Sequence, residues 1–174
     1  MTQTRDFIYL ASQSASRQQL LKIADIPFNV LPHTSSEVED DTSLEFSKRV
    51  LAITEGKMKT VAELPEEAKQ LAHPVFVLTA DTLIRAITSN IVLSKPRDID
   101  DARSMIALLR TEPAEVVTGC CLEKRIFEKG AWQLLARRAW TTGATAEFII
   151  DEDMVDRYFE KTPFFFEYFW WMCG

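Results

Sequence analysis

Asp81, in the segment Leu78-Thr79-Ala80-Asp81-Thr82, stands where an apolar strand reads as ending. The run before it, Pro74-Val75-Phe76-Val77-Leu78, is short and rich in β-branched and aromatic residues, as buried strands are. Leaving a carboxylate unpaired in such a place costs several kcal/mol or more, so something must compensate it. One solution is a hydrogen-bonded aspartate that closes the strand into a turn with Thr82. The other is a general base or metal ligand, which needs cations and acids supplied from elsewhere in the chain.

Three other groups could supply them. The turn Ser12-Gln13-Ser14-Ala15-Ser16-Arg17 joins a strand to a helix N-terminus. Free backbone N–H groups, the helix dipole, the hydroxyls and Arg17 together make a phosphate cradle. Plain N-capping, with Arg17 solvated on the helix surface, explains the same residues. A Gly-rich Walker pattern is missing, so this is no P-loop. Glu37, Glu39, Asp40 and Asp41 crowd one loop. Such oxygens can hold Mg²⁺ or Mn²⁺, which bind through one or two carboxylates plus substrate phosphate. A solvated acidic loop is the commoner source of such a run. Lys95 is restricted by the proline after it and could meet phosphate as a point charge, although Lys-Pro alone signifies nothing. His33 and His73 are isolated, which disfavours a covalent hydrolase.

The elements that must position these groups follow from periodicity. Phe7–Ala11 is a strand, and a helix runs from about Ser16 to Asp25 with Leu20, Leu21 and Ile23 on its apolar face. Ile26–Pro32 returns as a strand, and His33–Thr42 is a polar loop. A longer helix begins near Ser43, carries Phe46, Val50, Leu51 and Ile53, and is expected to be interrupted at Gly56. A short helix near Pro65–Ala72 precedes the Asp81 strand. Leu83–Ile87 and Ile91–Leu93 bracket Thr88-Ser89-Asn90 as a hairpin. Asp98-Ile99-Asp100-Asp101 starts a helix with its acids at the favourable end. Ala114–Leu122 is a long strand, turned by Glu128-Lys129-Gly130 into a partner resuming at Trp132, and Asp151-Glu152-Asp153 caps a last helix over Met154–Glu160. The order predicts an α/β fold: one mixed, twisted sheet with flanking helices and β-hairpins, over a single domain of residues 1–174. Ligands of such sheets collect where strand ends and loops converge, so the serine turn, the acidic loop, Asp81 and Lys95 are expected in one cleft.

Composition narrows the partners. With 26% charged and 47% hydrophobic residues, this is an ordinary globular composition. The net charge of −6 argues against a general nucleic-acid binder, but a few local cations suffice for a small polyanion. Cys120, Cys121 and Cys173 show no zinc spacing and read as reduced thiols, which favours the cytoplasm. The first residues lack a signal peptide's apolar core. No apolar run reaches the roughly 20 residues needed to span a bilayer, so no membrane is expected.

Taken in order, these pieces resemble the Maf family of nucleotide pyrophosphatases. The likeness lies in Leu10–Arg17 with Leu20-Leu21, Ile26-Pro27-Phe28, Glu37, Ala80-Asp81-Thr82, Lys95-Pro96 with Asp101-Ala102-Arg103, Val116-Val117-Thr118-Gly119 and Asp151–Tyr158. The resemblance implies a Maf/inosine-triphosphatase-like fold. It also implies hydrolysis of a nucleoside triphosphate between its α and β phosphates, with Asp81 as proton acceptor. Arg17 and Lys95 would then neutralise phosphates, and Ser12 and Ser14 would line the substrate. Glu37 and Asp81 would lie near a divalent Mg²⁺ or Mn²⁺. The family's specificity positions fall on Ser16 and Thr82, and Thr82 resembles the dTTP/UTP branch. Three features depart from the family. Ala15-Ser16 replaces a common Pro-Arg, Glu55 stands at the place of a helical lysine, and the family's C-terminal segment is expected to be missing. In its place comes the aromatic run Phe164–Trp171, which reads as an unpaired strand or an interface and leaves a homodimer open. These departures motivate an alternative: a nucleotide-binding or regulatory protein of the same fold, weakened in turnover and tied to cell division or septum formation.

Overall fold

The computed structural model describes residues 8–31, 41–61, 63–94 and 96–161. Its elements run β1 (Ile8–Leu10), α1 (Ala15–Ile23), β2 (Phe28–Val30), α2 (Phe46–Lys59), α3 (Glu66–Lys69), β3 (Val75–Ala86), β4 (Val92–Leu93), α4 (Ile99–Thr111), β5 (Ala114–Glu128), β6 (Ala131–Ala146) and α5 (Glu152–Lys161). The strands form one six-stranded sheet in the order β2-β1-β3-β5-β6, with β4 paired to β3. β1 is parallel to both β2 and β3, whereas β4 is antiparallel to β3, so the sheet is mixed as expected. No helix among the described residues is long and apolar enough to cross a membrane.

The described residues group into two compact units. The first draws on Met1–Asp81 and Gly119–Thr141, the second on Thr82–Thr118 and Thr142–Gly174. In the first, Tyr9, Ala11, Met58, Val75, Val77 and Cys121 share a core with Leu31, Leu64 and Ala68. In the second, α4 and α5 meet through Ala102, Ile106 and Val155. That contact is fastened at its rim by Arg103–Asp156 at 2.7 Å and by an Arg110–Glu152 pair. Both helices start on aspartate caps: Asp98 accepts from the Asp101 amide at 2.8 Å, and Asp151 from the Met154 amide at 2.7 Å.

Two expectations are corrected here. Asp81 does not end a strand; it lies inside β3, which continues without a break through Leu83 to Ala86. The run Thr79-Ala80-Asp81-Thr82 is buried residue after residue, while alternation holds on either side of it. Both faces of the strand are therefore covered there. A half-exposed strand would have shown polar residues only on its wet face.

The second correction concerns α2, which runs through Gly56 without interruption. A mid-helix glycine costs about 1 kcal/mol against alanine. Burial of Phe46, Val50, Ile53, Thr54 and Met58 along one stripe offsets that cost. The β5–β6 hairpin is tighter than expected. Lys129 and Gly130 alone make the turn, both with positive φ (54° and 80°), and β6 begins at Ala131. Two left-handed residues in succession are the signature of the type I′ turn that matches strand twist.

Candidate active site

Register decides what gathers around Asp81. Leu10 of β1 lies opposite Leu78 of β3 in parallel, and the Ala11 amide bonds the Leu78 carbonyl at 2.9 Å. Continuing both chains in the same direction sets the turn after β1 beside Thr79–Asp81. The turn thus meets the aspartate just past the carboxyl end of β1, the kind of place where sheets of this class bind their ligands.

Within the turn, each serine has a structural task. Ser14 is the N-cap of α1, its hydroxyl accepting from the Arg17 amide at 3.4 Å. The Ser12 hydroxyl accepts from the Ser14 amide at 3.3 Å and from Arg17 Nη1 at 3.1 Å. The capping explanation is correct for Ser14, but Arg17 is not a solvated surface residue. Its guanidinium folds back over the turn and is half-buried. Burial pushes the Arg17 pKa down, and the negative charge of Asp81 opposes that shift. An arginine held charged in a drying site beside a carboxylate is an anion contact prepared in advance.

Across from the turn, α2 sets its last turn on β3. Thr79 Oγ1 donates to the Thr54 carbonyl at 3.1 Å, and Lys57 Nζ donates to Asp81 Oδ1. Residues two apart on a strand share a face, and residues three apart on a helix share a stripe, so the two contacts fix one another. Asp81 is 8% exposed and is compensated by this ammonium. Its Oδ2 has no hydrogen-bond partner among the described residues. One carboxylate oxygen is thus clamped and the other is available.

Lys57 is the residue that sequence reasoning missed. The family resemblance sets the helical cation at position 55, where this chain has glutamate. The structure supplies the cation two residues later. The signal was present in the helical period, because Lys57 lies three residues from Thr54 and seven from Val50, both buried.

Other expected residues fare differently. Thr82 is buried, and its hydroxyl is 3.0 Å from that of Thr118, a pairing within the second unit. Ser16 is half-buried in the first turn of α1. Glu37, Glu39, Asp40, Lys95 and the aromatic run Phe164–Trp171 lie outside the described residues. Asp41 is exposed and turned to local work, accepting from the Ser43 amide at 3.0 Å and the Ser43 hydroxyl at 2.6 Å. Cys120 and Cys121 are free thiols. Burial pushes the Cys120 pKa up, with Arg17 opposing, the reverse of the lowering that activates a nucleophilic thiol.

A carboxylate with one oxygen available, an ammonium fixing it and a guanidinium across from it suit water attack on a phosphate. The profile of the Maf-like protein family matches residues 7–163. The chain belongs to the Maf family. The dTTP/UTP pyrophosphatase of Chlorobaculum parvum is 36% identical over 125 residues, covering 70% of this chain and 58% of that protein. That of Acholeplasma laidlawii is 34% identical over 131 residues, covering 71% of this chain and 63% of its own length. That of Citrifermentans bemidjiense is 34% identical over 157 residues, covering 90% and 74% respectively. The first two matches span less than two thirds of the relatives they align with.

Lys57→Gln tests the ammonium in this Maf chain. Glutamine still reaches Asp81 with a neutral donor, and charge-assisted hydrogen bonds are roughly twice as strong as neutral ones. Turnover should fall about tenfold, the equivalent of about 1.4 kcal/mol, and the melting temperature should fall as well, because the buried Asp81 loses its compensating charge. Steady-state kinetics beside a thermal melt checks this; a collapse of stability with unchanged turnover would make the pair purely structural.

Proposed function

We propose that this Maf chain is a nucleoside triphosphate pyrophosphatase acting on dTTP- and UTP-like substrates, yielding the monophosphate and pyrophosphate. The observation that carries the reading is Asp81, clamped at Oδ1 by Lys57 inside β3, with the Ser12–Arg17 turn laid beside it by strand register. Relatives named for dTTP/UTP pyrophosphatase activity support the substrate class.

In this reading Arg17 meets the phosphates, and the Ser12 hydroxyl orients its guanidinium. Water approaches Pα; its oxygen forms the new P–O bond, and its proton passes to Asp81 Oδ2. The bond from Pα to the bridging oxygen breaks, and pyrophosphate leaves with that oxygen. Displacement of this kind needs positioning and charge neutralisation more than covalent help.

A divalent ion fits this arrangement in one form only. Among the described residues no three of His, Cys, Asp and Glu gather as a ready-made cage. Mg²⁺ and Mn²⁺ do not need one, since one or two carboxylates and the substrate's own phosphates suffice. Asp81 would supply the carboxylate, joined by Glu37 in the family pattern, and the ion would neutralise phosphate charge.

Arg17→Ala should raise the dissociation constant for a non-hydrolysable triphosphate about tenfold, since a hydrogen bond to a charged group contributes about 1.5–3 kcal/mol. Calorimetric titration reads it directly. The function itself is tested by a panel of canonical triphosphates assayed for pyrophosphate with Mg²⁺ or Mn²⁺. Pyrimidine triphosphates should turn over fastest. Binding without release of pyrophosphate from any of them would overturn the enzyme reading in favour of a nucleotide-binding regulator.

A further inference from the structure

The first unit contains a second cationic cleft that the Asp81 site does not use. It is about 310 Å³ in volume, and lies between the end of α2 and the β5–β6 hairpin. Met58, Val61, Trp132 and Leu134 give its apolar walls, and Lys59, Arg125, Arg137 and Glu123 its charges. The key residue is Glu123, only 2% exposed in the middle of β5. Arg125 Nε donates to its Oε2 at 2.5 Å, and Arg137 Nε donates to its Oε1 at 2.7 Å. Arg137 adds a second contact through Nη2, while Arg125 Nη2 also reaches Met58 Sδ at 3.5 Å.

Both guanidiniums therefore present their Nε–Nη2 edge to one buried carboxylate. That geometry fixes their orientation and leaves Nη1 of each without a partner among the described residues. Lys59 Nζ on the exposed last turn of α2 has no partner among them either. Three cationic side chains thus line a cleft with Glu123, while the charge of Glu55 also acts on Arg137, in a chain whose overall charge is −6. Two arginines and a lysine exceed the charge of Glu123 and Glu55 by one, which is more than neutrality requires. Fixed guanidinium donors in a partly dry cleft match the oxygens of a phosphate group, which accept several hydrogen bonds at once.

The geometry points to a second anion site here, built for a phosphate-bearing small molecule and separate from the Asp81 cluster. The inference does not rest on the proposed catalytic activity. Glu123 is the positioning residue, and Arg125, Arg137 and Lys59 make the contacts. Lys59 is also two residues from Lys57 in α2, so an occupant would hold the same helical turn that clamps Asp81.

The test uses inorganic pyrophosphate as the probe and calorimetric titration of the full chain in an Arg17→Ala background, which weakens the other anion site. Lys59→Glu is the informative change, because Lys59 is exposed and its reversal leaves the Glu123 pairs in place. The Arg17→Ala protein should bind one pyrophosphate, and adding Lys59→Glu should weaken that binding at least tenfold, with circular dichroism unchanged. Arg137→Lys, which keeps the charge and loses the free Nη1 donors, should weaken it as well. Absence of binding in the Arg17→Ala background, or a Lys59→Glu effect below tenfold, overturns the site and leaves Glu123 as the centre of a structural ion-pair network.

Discussion

Asp81→Asn should lower pyrophosphate release from dTTP by about 10²–10⁴-fold, the usual cost of removing a general base. The substitution keeps the size of the side chain and an oxygen that Lys57 can still donate to. What disappears is the charge and the basic Oδ2, the oxygen with no partner among the described residues. Stability should change little, because Lys57 retains 26% of its side-chain exposure and is hydrated in either case. Nucleotide binding should persist through Arg17. A rate within twofold of the unaltered protein would remove Asp81 from the chemistry and make its pairing with Lys57 a structural device.

That prediction rests on residues of unequal legibility. The serine turn and Asp81 could be read directly, because capping residues and a carboxylate within an apolar run are local signals. The caps of α4 and α5 and the Lys129-Gly130 turn were legible for the same reason. Continuity of β3 was not. Thr79-Ala80-Asp81-Thr82 looks like the polar end of a strand unless both of its faces are known to be covered, and that depends on α2 and on neighbouring strands. Gly56 points the opposite way: a weak helix former suggests a break, although the apolar stripe on either side of it keeps its period. Lys57 needed both corrections at once. Only an unbroken α2, rotated by Val50, Thr54 and Met58 toward the sheet, brings its ammonium to a strand that itself continues past Asp81.

The rotation of α2 in turn depends on Gly119. A Cβ placed on Gly119 would lie 2.5 Å from Thr54 Oγ1, 3.0 Å from the Val50 carbonyl oxygen and 3.2 Å from Val50 Cγ1. Thr54 cannot simply swing away, because its hydroxyl donates to that same Val50 carbonyl at 2.8 Å in a buried setting. Gly119→Ala should therefore cost about 1–3 kcal/mol, the range for overpacking a filled interior. For a chain of this size that corresponds to a fall of roughly 2–12 °C in the melting temperature. Turnover should fall with it, since displacing Thr54 shifts the turn that carries Lys57. Thr54→Ala removes the nearest clashing atom but not the backbone oxygen behind it. The double variant Gly119→Ala with Thr54→Ala should recover part of the loss, with a coupling of about 0.5–3 kcal/mol in a double-mutant cycle. Melting curves of the four proteins give the answer. Strict additivity, or a Gly119→Ala protein as stable and active as the parent, would show that α2 does not depend on this close approach and that Lys57 is positioned by other means.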